Sequence, residues 1–322
     1  MRFTDMILLV SPAAPNTVHG NGVTAQRWAG ILRELGHEVR TAQEYPGGRY
    51  AALIALHARK SADAIRAFRA ENPRAPIVLA LTGTDLYPDL RSTGVEPEVL
   101  DLASRIVVLQ EHGRDQLDSA RRERCRVILQ SVPPIERRRP ADGIVEVAQL
   151  AHIRAVKDPL RAAAAVRLLP PDSRVHVTHV GSVLDSDLAA AAREESATNP
   201  RYSWLGERTR AQALDVLARS RLLVLASQHE GGANVISEAI AAGVPVISSA
   251  IPGSIGLLGH DYPGYFPAGD TESLADLLAA AESDRDGFYT QLARRCRNLR
   301  HLVDPRREHA AWADLLAELS LT

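Results

Sequence analysis

Two carboxylates, Glu230 and Glu238, stand with seven residues between them in the stretch SQHEGGANVISEAIAAGVPVI, residues 227 to 247. An ionised carboxylate only accepts hydrogen bonds, and a pair of sugar hydroxyls is a natural donor to it. Gly231 and Gly232, between the two acids, let a backbone come close to a ligand. The apolar run Leu222 to Ala226 before them predicts a strand, and the spacing of Ile236, Ala239, Ile240 and Gly243 after them predicts a helix. The first N–H groups of such a helix, from Ala233, Asn234 and Val235 onward, point back at the loop and favour an anion. The chemistry predicted for this stretch is recognition of a molecule that carries both phosphate and hydroxyls.

A second anion site is predicted nearer the amino terminus, where His19, Gly20, Asn21 and Gly22 precede a helical pattern of Ala25, Trp28, Ile31, Leu32 and Leu35 that stops at Gly36. The glycines do not make the Gly-x-Gly-x-x-Gly fingerprint, because position 25 is alanine, and a nicotinamide enzyme is disfavoured. Thr82, Gly83, Thr84 and Asp85 form a polar loop after an apolar run, with Asp85 equally suited to closing a turn. Asp185-Ser-Asp187 spells the Asp-x-Asp of metal-dependent transferases, yet it precedes a helical segment, Leu188 to Arg193, that Asp187 would cap. No metal site is therefore predicted. His19 and His229 each flank a glycine loop and are candidates to contact phosphate or to act as acid or base, whereas His37, His57 and His309 read as ordinary residues.

These loops need strands and helices to hold them. Met6 to Val10, a segment from Val39, Ala51 to Leu56, Ile77 to Leu81, Ile106 to Leu109 and Cys125 to Leu129 are apolar runs consistent with covered strands, with a helix from Ser61 to Arg69 among them. Alternation of strand and helix predicts α/β architecture with parallel sheets. Residues 131 to 143 are rich in proline, charge and turn formers, as a linker is. A second series follows: Ile144 to Ala148, a long alanine-rich helix after Pro159, Val175 to Val180, Tyr202 to Gly206, a helix from Thr209 to Ala218, Leu222 to Ala226 and Pro245 to Ser248. Trp312, Leu315, Leu316 and Leu319 share one face of a final helix. The predicted domains are residues 1–138 and 139–303, followed by a carboxy-terminal helix, 304–322, whose amphipathic face docks on the rest of the protein.

The 322 residues, 45% of them apolar and 24% charged, suffice for two cores, and a net charge of −1 gives no electrostatic reason to expect nucleic acid. Cys125 and Cys296 lack metal-ligand spacing and predict neither a disulfide framework nor a zinc cluster. No apolar run approaches the roughly 20 residues that span a bilayer. A cytoplasmic protein is expected, and its oligomeric state is left open.

Two α/β halves, a mid-chain linker and the paired glutamates resemble the nucleotide-sugar glycosyltransferases of GT-B fold, whose two Rossmann-like domains have parallel sheets facing across a cleft. The resemblance implies that Glu230 lies near the sugar, that Glu238 binds the ribose hydroxyls, and that amides of Gly231, Gly232, Ala233, Asn234 and Val235 hold the diphosphate and sugar. Lys157 matches a lysine that the family sets against the diphosphate. His152 stands at the place of the family's arginine and Arg154 two residues on, so either can replace that charge. Leu205 and Gly206 resemble the loop that reads the base, and the resemblance implies that the carboxy-terminal helix, 304–322, packs back on the first domain. Glu230, Lys157 and Arg154 are the implied catalytic set, acting without a cofactor or metal.

A closer resemblance, through ALTGTDLY ending at Tyr87 and AHIRAVKDP ending at Pro159, is to the selenosugar synthases of selenoneine biosynthesis. It implies a uridine-diphosphate (UDP) sugar as donor and selenophosphate as acceptor, giving a 1-selenosugar. The acceptor is expected at His19, Gly20, Asn21 and Gly22 and at Thr82, Gly83, Thr84 and Asp85. Alternatives are a GT-B enzyme with another acceptor, a UDP-sugar 2-epimerase or hydrolase, and a two-lobed binding protein without enzymatic activity.

Overall fold

The computed structural model describes residues 6–13 and 20–321. Their contacts define two compact units, one from the described parts of Met1–Gln130, Glu230–Gly232 and Pro305–Thr322, the other from Ser131–His229 and Ala233–Asp304. The first holds a parallel sheet of β1 (Met6–Val10), β2 (Glu38–Ala42), β3 (Ala52–Leu56), β4 (Ile77–Leu81), β5 (Arg105–Val108) and β6 (Cys125–Val127), in the order β2-β1-β3-β4-β5-β6. Strands β3 and β4 are buried at every position, because helices cover both faces. The period of two then sorts their side chains between two cores. Leu53, Ala55 and Leu79 pack with Ile65 and Phe68. Ile54, Leu56 and Val78 pack with Trp28, Leu32, Trp312 and Leu315.

The last pair comes from the carboxy-terminal helix, Pro305–Glu318, which lies against the helix Gly20–Glu34. Trp28 and Trp312 meet edge to face with centroids 4.8 Å apart. Beside them the buried Glu308 carboxylate accepts from Trp28 Nε1 at 2.7 Å and from Arg27 Nε at 2.9 Å. Glu318, at the helix end, takes Arg105 and Arg126, each at 2.8 Å.

The second unit repeats the plan with β7 (Val145–Leu150), β8 (Val175–Val180), β9 (Tyr202–Trp204), β10 (Leu222–Leu225), β11 (Val246–Ser249) and β12 (Tyr265–Phe266), all parallel, in the order β12-β11-β10-β7-β8-β9. In each sheet the chain builds outward on one side and then crosses to the other. The switch falls between β1 and β3 in the first unit and between β7 and β10 in the second. Loops leaving the carboxyl ends of strands at such a point diverge and leave a crevice, where open α/β sheets bind ligands.

Four sequence expectations need correction. The segment after Gln130 is strapped to the second unit: Val132 N–H donates to Val303 O at 3.0 Å, Arg138 N–H to Ala218 O at 3.0 Å and Arg137 Nη1 to Ser220 O at 2.7 Å, so the division precedes residue 138. The helix after Pro159 spans only Arg161–Arg167, since Pro170 and Pro171 disfavour continuation. Gly20, Asn21 and Gly22 form the first turn of a helix, not a loop before it, while His19 lies outside the described residues. The helix predicted from Leu188 runs over Ser186–Thr198, and Asp185, not Asp187, caps it by accepting from Asp187 N–H and Leu188 N–H. Among the described residues no helix is long and apolar enough to cross a membrane.

Glu308 is a buried charge whose removal takes away the acceptor of the buried Trp28 indole N–H and an ion-pair partner of Arg27. Glu308→Ala is expected to destabilise the protein by about 3–5 kcal/mol, read as a lowered midpoint of urea unfolding.

Candidate functional site

The second unit's switch point is furnished by the loops that leave β7 and β10. After β7, Ala151 to Lys157 crosses the sheet end, and its course is set by the next strand. His179, fully buried in β8, lies 2.8 Å through Nε2 from Ala151 O and 2.7 Å through Nδ1 from Tyr202 Oη. The carbonyl only accepts, so Nε2 carries the hydrogen and Nδ1 accepts from the tyrosine. Burial penalises the imidazolium and holds His179 at about 4, below its ordinary 6.5. The Ala151 carbonyl also occupies the space a side chain at 181 would need: a Cβ on Gly181 would stand 1.8 Å from that oxygen. Glycine is required there for close approach, not for an unusual φ.

Held in this way, the loop lies along the start of the next one. Ile153 N–H donates to Ser182 O at 2.9 Å, and Ser182 N–H to His152 Nδ1 at 3.2 Å. His152 is thereby a backbone-holding residue with one nitrogen already used. Arg154 Nε and Ser182 Oγ are both buried without a hydrogen-bond partner among the described residues. Buried polar atoms are nearly always paired, so an unpaired donor and an unpaired hydroxyl in adjoining loops at strand carboxyl ends are unusual and have hydrogen-bonding capacity left over. Lys157 ends a short 3-10 turn, Ala155–Lys157, and is half-buried. The turn is tied to the loop after β10 by Gln228 N–H, which donates to Val156 O at 2.8 Å. Leu205 and Gly206 follow β9 on the same sheet edge, with Leu205 N–H on His179 O at 2.8 Å and Gly206 at φ 73°.

The loop after β10 leads into the helix Asn234–Ala242, with Ala233 at its N-cap position and Gly243 ending it at φ 67°. Asn234 and Val235 therefore belong to the first helical turn. Glu238 is one turn further on, nearly buried, and is ion-paired with Arg210. Sequence reasoning missed Arg210, although a signal was present. Thr209 and Gln212 form the reciprocal capping box expected of a Thr-x-x-Gln sequence, which puts Arg210 at the first helical position. Ser237 Oγ, beside Glu238 in sequence, is likewise buried without a partner among the described residues. Sequence gave no sign of that.

Glu230, Gly231 and Gly232 group with the first unit. There a Cβ on Gly231 would stand 2.4 Å from Thr82 O, and one on Gly232 2.5 Å from Leu109 Cβ. Both glycines are thus dictated by close packing. The neighbouring loop, Thr82 to Asp85, is organised by Asp85. Its fully buried carboxylate accepts from Thr82 N–H at 2.9 Å, Gly83 N–H at 2.8 Å and Ala58 N–H at 2.8 Å. Of the four residues expected to meet an acceptor, two, Thr82 and Gly83, have their amides spent on that side chain. Gly20 to Gly22, at the start of the first helix, use Gly20 O to accept from Thr24 Oγ1 at 2.9 Å.

With paired glutamates on such a scaffold, the chain belongs to the family of glycosyl transferases group 1, which matches residues 138–299, half of its length. Solved structures extend the likeness to the whole chain. HepE of Anabaena, crystallised with UDP-glucose, is 17% identical over 97% of this chain and 99% of its own, with a TM-score of 0.79. A glycosyltransferase of Rickettsia africae is 13% identical over 98% and 99%, with a TM-score of 0.76. Sucrose-phosphate synthase of Thermosynechococcus elongatus is 14% identical over 98% and 99%, with a TM-score of 0.74. These likenesses show the fold, two Rossmann-like units of GT-B type. No curated protein matches the chain.

His179 imposes a pH dependence on this site. Its folded-state proton affinity is below that of the unfolded chain, so its contribution is fully present above pH 6.5 and lost as the pH falls toward 4. The expected loss is about 3 kcal/mol. Urea unfolding between pH 7.5 and pH 4.5 measures it, and His179→Gln, which keeps an N–H for Ala151, is expected to flatten that slope.

Proposed function

We propose that this glycosyltransferase moves a sugar from a UDP-sugar to selenophosphate. Support for the donor comes from the second unit, where the unpaired Arg154 Nε and Ser182 Oγ at the switch point are the observation that carries the reading. HepE, whose fold this chain shares, holds UDP-glucose. Support for the acceptor is the resemblance of the segments ending at Tyr87 and Pro159 to the selenosugar synthases.

In this reading Glu238 accepts from the two ribose hydroxyls while Arg210 stays paired to its carboxylate. Leu205 and Gly206 meet the base through their backbone, and amides from Gly231 to Val235 meet the diphosphate and sugar. The selenium of selenophosphate attacks the anomeric carbon while the bond from that carbon to the diphosphate oxygen breaks. The electron pair leaves with UDP, and hydrolysis of the Se–P bond then frees phosphate. Charge grows on the departing diphosphate, where Lys157, Arg154 and the amino terminus of the helix Asn234–Ala242 neutralise it. Each such preorganised donor contributes on the order of 3 kcal/mol. Glu230 lies near the sugar, and no resident metal takes part.

The test is incubation with UDP-glucose or UDP-N-acetylglucosamine, with and without selenophosphate, followed by mass spectrometry and a measure of UDP release. Selenophosphate-dependent release with a seleno-sugar product is expected, unchanged by EDTA. Release indifferent to selenophosphate would point to hydrolysis or epimerisation instead. Glu238→Ala is expected to weaken UDP binding by about 10- to 100-fold, the worth of hydrogen bonds to a charged group. Arg210→Ala, at a more exposed position, should weaken it less. Calorimetry with UDP alone checks both.

A further inference from the structure

One of the histidines that read as ordinary in sequence, His57, sits at the switch point of the first sheet. His57 directly follows β3, on the side of the crevice between β1 and β3. It is buried to 3% exposure and adopts φ 70°, a left-handed conformation uncommon outside glycine. Strained backbone beside a ligand crevice is kept where the surroundings require it.

The partners of the ring assign its hydrogen. Nδ1 faces Lys60 N–H at 3.4 Å, a group that can only donate, so Nδ1 is the bare nitrogen. Asp85 Oδ2, 3.9 Å from Nδ1, is beyond hydrogen-bond reach and already accepts from Ala58 N–H. Nε2 therefore carries the hydrogen and donates to Thr84 Oγ1 at 3.1 Å. Burial, with Lys60 and Arg59 nearby, keeps the ring neutral against the pull of Asp85. A hydroxyl that accepts from His57 must turn its own hydrogen elsewhere. Thr84 is only half-buried, so that hydrogen is available to a ligand. The amides of Thr82 and Gly83 are committed to Asp85, which leaves the Thr84 hydroxyl as an oriented donor of this loop.

We propose that His57 is a positioning residue for the acceptor, holding the Thr84 hydroxyl as a hydrogen-bond donor to an oxygen of the acceptor anion. The proposal rests on the reading of that anion as selenophosphate. His57 touches no reacting atom and acts only through Thr84, which makes the pair separable from a merely structural contact.

The experiment measures KM for selenophosphate and for the UDP-sugar, together with thermal unfolding, for His57→Asn, Thr84→Val, Thr84→Ser and the His57→Asn/Thr84→Val double variant. Asparagine tolerates the left-handed backbone and is too short to reach Thr84. His57→Asn and Thr84→Val are expected to raise KM for selenophosphate about tenfold while leaving KM for the UDP-sugar unchanged. Thr84→Ser should retain the wild-type value. The double variant should be no worse than Thr84→Val alone, because one hydrogen bond is lost by either route. Additive effects, an equal rise in both KM values accompanied by a lowered unfolding temperature, or an unchanged selenophosphate KM would overturn this role and leave the proposed activity standing. Wild-type protein with no selenophosphate-dependent turnover would overturn the acceptor assignment and this role with it.

Discussion

The hydrogen bond from buried His179 to the carbonyl of Ala151 is the constraint on which the second unit's chemistry depends. It fixes the point where the chain leaves β7, and from there the direction of the six residues that end at Lys157. Gly181 belongs to the same constraint, since only a residue without Cβ lets that carbonyl lie where it does. Ser182 then falls beside Ile153, and Arg154 follows. A buried neutral histidine thus places two cationic side chains without touching a ligand itself.

Asp85 has the corresponding part in the first unit, through a different economy. One buried carboxylate takes three backbone amides and ties the end of β4 to the residue after His57. Burying a carboxylate is costly unless its oxygens are filled, and here three N–H groups fill them. The Thr84 side chain stays on the half-buried rim of the loop, held from behind by His57.

The carboxy-terminal helix shows how the first core is completed by residues distant in sequence. Trp312, Leu315 and Leu316 fill the layer opened by Trp28 and Leu32, and Glu308 satisfies the Trp28 indole N–H that such packing would otherwise strand. Large aromatic side chains supply much buried area but bring a polar atom that needs a partner. The same helix ends on Arg105 and Arg126, which anchors it across β5 and β6.

The strands, their parallel character and the two-unit plan were legible in the chain, because fully covered parallel strands are written as short unbroken apolar runs such as Ala52–Leu56 and Ile77–Leu81. The two glutamates, their glycines and the helix after them were legible for the same local reason: spacing and glycine placement are properties of consecutive residues. Tertiary structure alone decided which residues meet across the sheet. Arg210 reaches Glu238, His57 reaches Thr84 and Ser182 comes beside Ile153, each through strand order rather than through sequence neighbourhood. It also decided the state of each polar group. Whether an amide or hydroxyl is spent inside the fold or left for a ligand depends on partners that a linear pattern does not name.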